Sequence, residues 1–290
     1  MSQDRLGNVA DCVSEAAAVL SRAGVASPRF DAETLAGHVL GVPRGRLALA
    51  TFTPAQAAEY RRLTGRRAAR VPLQHLTGTA PFRWLELAVG PGVFIPRPET
   101  ELLVQWGLTT LSGIPAPIVV DLCAGSGAIS LAVAQEMPNT RVYAVEQAPA
   151  ALDWLRHNAR VRAAAGDPEI AVVPGDLADA AVLSTLDGTV DLVLCNPPYV
   201  PRGVWVPPEV AEHDPPDAVF ARPDGLAVIR TVLARAAVLL RPGGWLGVEH
   251  DDTHGSVVPA LLAEDGRYRE VADHQDLAGR PRFATAQVAD

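Results

Sequence analysis

Lysine is absent from this chain: all 25 basic residues are arginine. Together with abundant alanine and 25 prolines, this reads as a genome-wide compositional bias rather than a functional choice. Cysteine is scarce. Cys12, Cys123 and Cys195 are too few and too scattered for a disulfide framework or a zinc site, and the seven histidines show no metal-ligand spacing, so no metal is expected. No apolar run approaches the roughly 20 residues needed to span a bilayer. The N-terminal stretch MSQDRLGNVADCV carries acids early and lacks the basic-then-apolar order of a leader. A soluble cytoplasmic protein is the expectation. Gly/Ser tracts and internal repeats are also missing.

What is present falls into parts. At 290 residues the chain has room for two domains. Residues 1–78 carry 10 arginines against 6 acids, and residues 79–290 carry 15 against 27. The acidic larger part lacks the basic surface that grips a nucleic-acid backbone. Apolar residues recur at helical spacing in Val9–Leu20, Asp31–Leu40 and Pro54–Leu63, with Ser27-Pro28 and Thr53-Pro54 as helix openings. A small helical bundle over residues 1–78 follows, and the cluster Arg61, Arg62, Arg66, Arg67 and Arg70 reads as a solvated flank. Residues 79–98 read as a structured linker, with Phe82–Leu87 and Gly92–Ile95 placed to pair as a β-hairpin.

Over residues 99–290 strand and helix alternate. Ile118–Leu122, Arg141–Glu146, Ile170–Val173, Val190–Cys195 and Trp245–Glu249 are short β-rich runs, separated by helical Ser130–Glu136, Ala150–Arg162 and Leu226–Leu240. Tyr268–Ala272 and Arg282–Val288 add a terminal hairpin. This order predicts an α/β fold with a largely parallel sheet covered on both faces. Ligands of such sheets bind beyond the carboxyl ends of the strands, where Asp121, Glu146 and Asn196 fall.

The first strand runs into Asp121-Leu122-Cys123-Ala124-Gly125-Ser126-Gly127-Ala128. The G-x-G-x-x-G dinucleotide pattern is not met in either register. An acid before the loop suits a cationic ligand better than a pyrophosphate, and S-adenosylmethionine (SAM) carries an ammonium, a sulfonium and no phosphate. Glu146 can accept both ribose hydroxyl protons. Asp176, in Pro174-Gly175-Asp176-Leu177, is placed to accept from the adenine amine. The fourth strand ends in Asn196-Pro197-Pro198-Tyr199. Proline holds the preceding residue extended and supplies no N–H, so carbonyls here have no local donor. Asn196 and the Pro197 carbonyl can receive an NH2 group, and Tyr199 offers a flat face for stacking. That combination suits methyl transfer to an amide or exocyclic amine nitrogen.

PRFDAETLAGHVLG, PLQHLTG, FIPRPETE (94–101), DLCAGSGAISLAVA, NPPY and LRPGGWLGVEH together resemble the PrmC/HemK family of protein-(glutamine-N5) methyltransferases, across nearly the whole chain. The resemblance implies a seven-stranded Rossmann-like SAM-dependent methyltransferase domain preceded by a helical domain that helps recognise class I peptide chain release factors. It implies N5-methylation of the glutamine in a Gly-Gly-Gln motif. It also implies that Cys123 to Gly127, Glu146, Leu177 and Asn196 contact SAM while Asn196, Pro197, Pro198 and Tyr199 hold the glutamine, with Asn196, Pro197 and Tyr199 as the catalytic group. A monomer needing neither nucleic acid nor membrane is expected. This chain departs from the family pattern at Cys123, which stands where glycine is common. Leu177 replaces an aromatic, and Glu212-His213-Asp214-Pro215 replaces Tyr-Glu-Pro. NPPY is shared with nucleic-acid amine methyltransferases, the nearest competing reading. A non-catalytic adaptor would have lost NPPY or the glycine loop. Cys123 and Cys195 read as small buried hydrophobes rather than nucleophiles.

Overall fold

The computed structural model describes residues 8–221 and 225–289. Residues 1–7, part of the stretch read above for a leader, lie outside that range. The chain divides into two compact units, Met1–Thr79 with Pro207–His213, and Ala80–Val206 with Asp214–Asp290.

The first unit is helical: α1 (Val9–Arg22), α2 (Pro28–Leu40), α3 (Pro54–Ala68), α4 (Leu73–Thr77) and, from far along the chain, α8 (Pro208–His213). Thr53 opens α3 with a full capping box, its hydroxyl accepting from the Gln56 N–H while Gln56 reaches back to the Thr53 N–H. Ser27 opens α2 without a side-chain bond, Pro28 alone presetting the first turn. The apolar stripes of these helices meet in a core built around Val9, Leu20, Leu35, Phe52, Tyr60 and Leu63.

The arginine cluster departs from the sequence expectation. Arg67 is buried, donating from Nε to Asp31 at 2.7 Å and from Nη1 to Glu209 at 2.8 Å. Arg70 grips the same Glu209 carboxylate with two bonds, at 2.9 and 2.6 Å. A guanidinium this far from water needs carboxylate partners to offset the cost of its desolvation. Those acids lie 36 and 142 residues away in sequence, so no local pattern could have shown them. Arg61, Arg62 and Arg66 are exposed, as a solvated flank predicts, with Arg62 paired to Glu59.

The second unit opens with a hairpin, β1 (Thr79–Phe82) and β2 (Leu85–Ala88), which corrects the expected pairing of Phe82–Leu87 with Gly92–Ile95. The turn falls at Arg83-Trp84, with Arg83 at φ 50°, a conformation that sequence reasoning would assign to glycine. Arg83 is held there because its backbone N–H donates to Glu101 and its guanidinium pairs with Glu136.

After α5 (Thr100–Thr110) the chain alternates β3 (Ile118–Leu122), α6 (Ala128–Glu136), β4 (Arg141–Glu146), α7 (Pro149–Ala164), β5 (Ala171–Pro174) and β6 (Val190–Cys195). Two short strands, β7 (Val200–Pro201) and β8 (Phe220–Ala221), pair with each other beside α9 (Pro216–Val219). There follow α10 (Ala227–Leu239), β9 (Leu240–Glu249), α11 (Val257–Asp265), β10 (Tyr268–Gln275) and β11 (Pro281–Val288). The main sheet has seven strands in the order β10-β11-β9-β6-β3-β4-β5. All neighbours are parallel except β11, which runs antiparallel between β9 and β10.

Strand periodicity decides which residues face which layer. In β3, Ile118, Val120 and Leu122 join the core under α10 and α11, while Val119 joins the core under α5 and α6. In β6, Val193 and Cys195 take the first side, Leu192 and Leu194 the second. Burial on both faces is why β3 and β6 read as unbroken apolar runs rather than alternating ones. β3, β4 and β6 all end on one edge of this sheet, together with the C-terminal residue of β9. Among the described residues, no helix is long and apolar enough to cross a membrane.

Candidate active site

At that edge lies a cavity of about 990 Å³, lined by residues of the second unit from the glycine loop, the ends of β4 and β6, the 175–178 turn and the segment before α5. The size suits a drug-sized ligand with a side chain beside it, since such pockets run roughly 300–1,000 Å³.

The loop from Cys123 to Gly127 wraps one side. Cys123 sits at φ 64°, Gly125 at 57° and Gly127 at 89°, three left-handed residues in five. Such a run turns the chain sharply from β3 into α6, with the Ala124 and Gly127 N–H groups spent on the Val145 and Ala124 carbonyls and that of Gly125 on Glu146. At Gly127 a Cβ would stand 2.7 Å from Leu155 Cδ1 and 3.0 Å from Leu131 Cδ1, so a side chain is excluded by space as well as by φ. Cys123 stands where the family commonly has glycine. Its thiol lies beside that of Cys195, whose pKa is raised by burial and by the neighbouring Cys123. Asn158 of α7 pins the loop from below: its Nδ2 donates to the Ser126 carbonyl at 2.9 Å and the Ala88 carbonyl at 3.0 Å, while Oδ1 accepts the Ala88 N–H. Nothing in the sequence singled out Asn158, which looks like any polar residue on an amphipathic helix.

Glu146 lines the cavity with its carboxylate fixed by three backbone donors. Oε2 accepts from Gly125 and Oε1 from Gln147 and Ala148, each at 2.8 Å. An ionised carboxylate has about four acceptor positions, so one remains for a ligand hydroxyl. Asp176 and Leu177 also line the cavity; Asp176 Oδ1 is used by the Ala178 N–H, and Leu177 is an apolar wall.

Asp121 is placed differently from the sequence expectation. It does not line the cavity but lies beneath the loop, 1 % exposed, with Oδ2 accepting the Ser130 N–H at 3.1 Å. Oδ1 is buried and has no hydrogen-bond partner. Burial pushes its pKa up to about 7, with the Ser130 bonds opposing and Glu146 adding to the rise. Because the folded-state value exceeds the unfolded one of about 4, the carboxyl favours the fold below pH 4 and loses that contribution as pH rises through 7. Asp121→Asn keeps an oxygen for Ser130 and removes the charge. The ligand-free variant should therefore melt higher than the parent at pH 8. The gap should close on acidification by about 1.4 kcal/mol for each pH unit between 7 and 4. Thermal melts across that range test this, and a pH-independent difference would refute it.

On the opposite wall stands Asn196. Its Nδ2 donates to Thr100 Oγ1 at 3.0 Å, and no described residue donates to its Oδ1. Thr100 Oγ1 in turn donates to Glu249 Oε2 at 2.6 Å. Tyr199 donates its hydroxyl to Glu249 Oε1 at 2.8 Å. Asn196 and Pro198 line the cavity, whereas Pro197 and Tyr199 do not. The Tyr199 ring packs against the sheet core instead of offering a cavity face, because its hydroxyl is drawn to the buried Glu249. Burial raises the Tyr199 pKa well above normal, with Glu249 adding, and so keeps it a donor. Burial also raises that of Glu249, against the two hydroxyl bonds and nearby Arg282.

Thr100 and Glu249 were not among the residues expected to matter. Thr100 falls inside FIPRPETE and Glu249 at the end of a strand, which are the signals that could have marked them. The same segment supplies Arg97, stacked 4.7 Å over Phe94 and paired with buried Asp214 at 2.5 Å. Burial lifts Asp214 to about 6 in spite of that partner. Among the described residues no cluster of histidine, cysteine and acid could hold a metal.

Comparison with known proteins gives the family. Residues 11–78 match the PrmC N-terminal domain family and residues 96–207 the methyltransferase small domain family. The release factor glutamine methyltransferase of Mycolicibacterium smegmatis is 50 % identical over 275 residues, covering 94 % of this chain and 95 % of the relative. This chain belongs to the release factor glutamine methyltransferase family. It is a methyltransferase, and the resemblance carried by FIPRPETE and the helical segment holds over nearly its full length. A 4-amino-L-phenylalanine/4-methylamino-L-phenylalanine methyltransferase of Streptomyces pristinaespiralis is 40 % identical over 270 residues, covering 90 % of this chain and 89 % of that one. Among solved structures, the hMettl16 catalytic domain, crystallised with an RNA hairpin of the MAT2A 3'UTR, superposes with a TM-score of 0.54. It is 14 % identical and covers 82 % of both chains, a likeness of fold alone.

Proposed function

We propose that this protein transfers a methyl group from SAM to the side-chain nitrogen of the glutamine in the Gly-Gly-Gln motif of class I release factors. The observation that supports it most is the Asn196 amide on the cavity wall, whose nitrogen is committed to Thr100 and whose oxygen no described residue engages.

The residues present fit SAM. Glu146 offers the remaining acceptor of a held carboxylate to one ribose hydroxyl rather than to both, Leu177 and Ile129 an apolar wall, and the loop from Cys123 to Ser126 a close backbone approach. Asp121, with an unpartnered buried oxygen and a pKa pushed up to about 7, lies beneath that loop, where a bound cation would favour its ionised form; it acts through the loop rather than by contact. SAM supplies an electrophilic methyl on a sulfonium.

A carboxamide nitrogen is a weak nucleophile because its lone pair is delocalised. Asn196 Oδ1 accepts one N–H of the substrate amide, favouring the positive charge that builds on nitrogen; the Pro197 carbonyl, expected from the sequence as a second acceptor, belongs to a residue that does not line the cavity and takes no part here. Fixed before the reaction, this acceptor needs no reorganisation. Orientation of the nitrogen toward the methyl supplies the rest. The proton leaves to water once the nitrogen is methylated, so no general base is needed. The helical unit, Met1–Thr79 with Pro207–His213, is assigned to release-factor recognition. The acidic balance of residues 79–290 argues against a nucleic-acid substrate.

Mass spectrometry of a release factor incubated with the protein and SAM should show a single added methyl on that glutamine. Parallel incubations with 4-amino-L-phenylalanine, DNA and RNA should show none. Methylation confined to one of those three would overturn the reading.

A further inference from the structure

Two buried groups behind Asn196 have chemistry that its own role leaves unexplained. Thr100 is 3 % exposed and Glu249 is 1 % exposed, and each sits in a bond that determines the next. Glu249 offers both carboxylate oxygens as acceptors, one to Thr100 and one to Tyr199. Accepting two hydroxyl protons, Glu249 takes the ionised form that both bonds and nearby Arg282 favour against burial; it then cannot donate, so the single Thr100 proton is committed to it. The Thr100 oxygen is then left with lone pairs only on the side facing Asn196. Only the NH2 end of the Asn196 amide can approach at 3.0 Å; the carbonyl end would meet oxygen with oxygen.

We propose that Thr100 and Glu249 are positioning residues for methyl transfer, fixing through this chain of donors which end of the Asn196 amide faces the cavity. The inference rests on the reading of Asn196 Oδ1 as an acceptor for the substrate N–H. An asparagine amide is nearly symmetric in shape, so packing alone does not tell its oxygen from its nitrogen. Flipped, it would present a donor to the glutamine NH2 and repel the group it is meant to hold. The two positions come from opposite ends of the domain, α5 and β9, and converge only because β9 lies directly beside β6 in the sheet.

Thr100→Val removes the hydroxyl and keeps the shape. Steady-state and single-turnover methylation of a release factor, with SAM affinity measured by calorimetry, separates positioning from simple damage. The valine variant should lose 10- to 100-fold in kcat with SAM affinity within about threefold of the parent. Thr100→Ser, which restores the hydroxyl, should recover kcat to within about threefold. An alanine variant serves if the valine protein is not recovered folded. A valine variant with parental kcat, or a serine variant as impaired as the valine one, overturns the proposal. A parent protein that leaves the release factor unmodified in the same assay overturns the functional reading instead, so the two failures are distinguishable.

Discussion

Asn196→Ala is expected to abolish most methyl transfer, roughly 10²- to 10³-fold in kcat, while leaving the protein folded and able to bind SAM. The magnitude follows from losing one prearranged polar contact that matters most as charge develops, by analogy with removal of a single oxyanion-hole donor. Stability should change little. Asn196 is only partly buried, and its loss removes one hydrogen bond, that to Thr100, worth about 1 kcal/mol. Single-turnover methylation of a release factor, set beside calorimetric SAM binding and a thermal melt, measures all three quantities. A variant that turns over near the parental rate would remove Asn196 from the mechanism. One that no longer binds SAM would show that its role lies in cofactor binding instead.

Substituting Gly127 should do the reverse. Gly127→Val places a β-branched side chain at φ 89°, where its Cβ meets Leu155 at 2.7 Å and Leu131 at 3.0 Å. Left-handed strain costs about 1–2 kcal/mol for an ordinary residue, and overpacking adds about 1–3 kcal/mol. The loop can relieve this only by moving, which displaces Gly125 and with it the N–H that holds Glu146. SAM affinity should drop 100-fold or more, with a melting point lowered by several degrees. Gly125→Ala is the matched comparison. Its Cβ would meet no atom within 4 Å, so only the strain at φ 57° applies and the protein should stay within about 2 kcal/mol of the parent. Equal losses at the two positions would show that steric room at Gly127 is not what shapes the loop.

The contrast between these glycines shows what kind of information the sequence holds. The order of strands and helices from Ile118 onward was legible because each element is specified by its own short-range pattern. β3, β4 and β6 begin and end on the expected residues, and the terminal hairpin forms where the β-rich runs predicted it. The early hairpin was misplaced because its turn uses Arg83 in a left-handed conformation, which glycine-based reasoning passes over in favour of Gly90 and Gly92. The burial of Arg67 was invisible for a different reason. Its desolvation is offset by Asp31 and Glu209, and a sequence read locally shows five arginines and no partners.

At the site, the sequence by itself determined the chemistry on offer: an Asn-Pro-Pro-Tyr turn at a strand end, a glycine loop after an acid, and a second acid one strand over. These depend on residue type and on neighbours a few positions away, so local stereochemistry fixes them. Tertiary structure alone decided which of these groups face the cavity. Asp121 and Tyr199 turned inward, one beneath the loop and one to Glu249, while Glu146 and Asn196 kept an acceptor exposed. Thr100 and Glu249 gained roles that their places in FIPRPETE and at a strand end only hint at, and Asn158 one that nothing in the sequence advertises. Hydrogen bonds between residues 32 to 149 positions apart exist only once the sheet has brought their elements together, and burial then makes each bond obligatory.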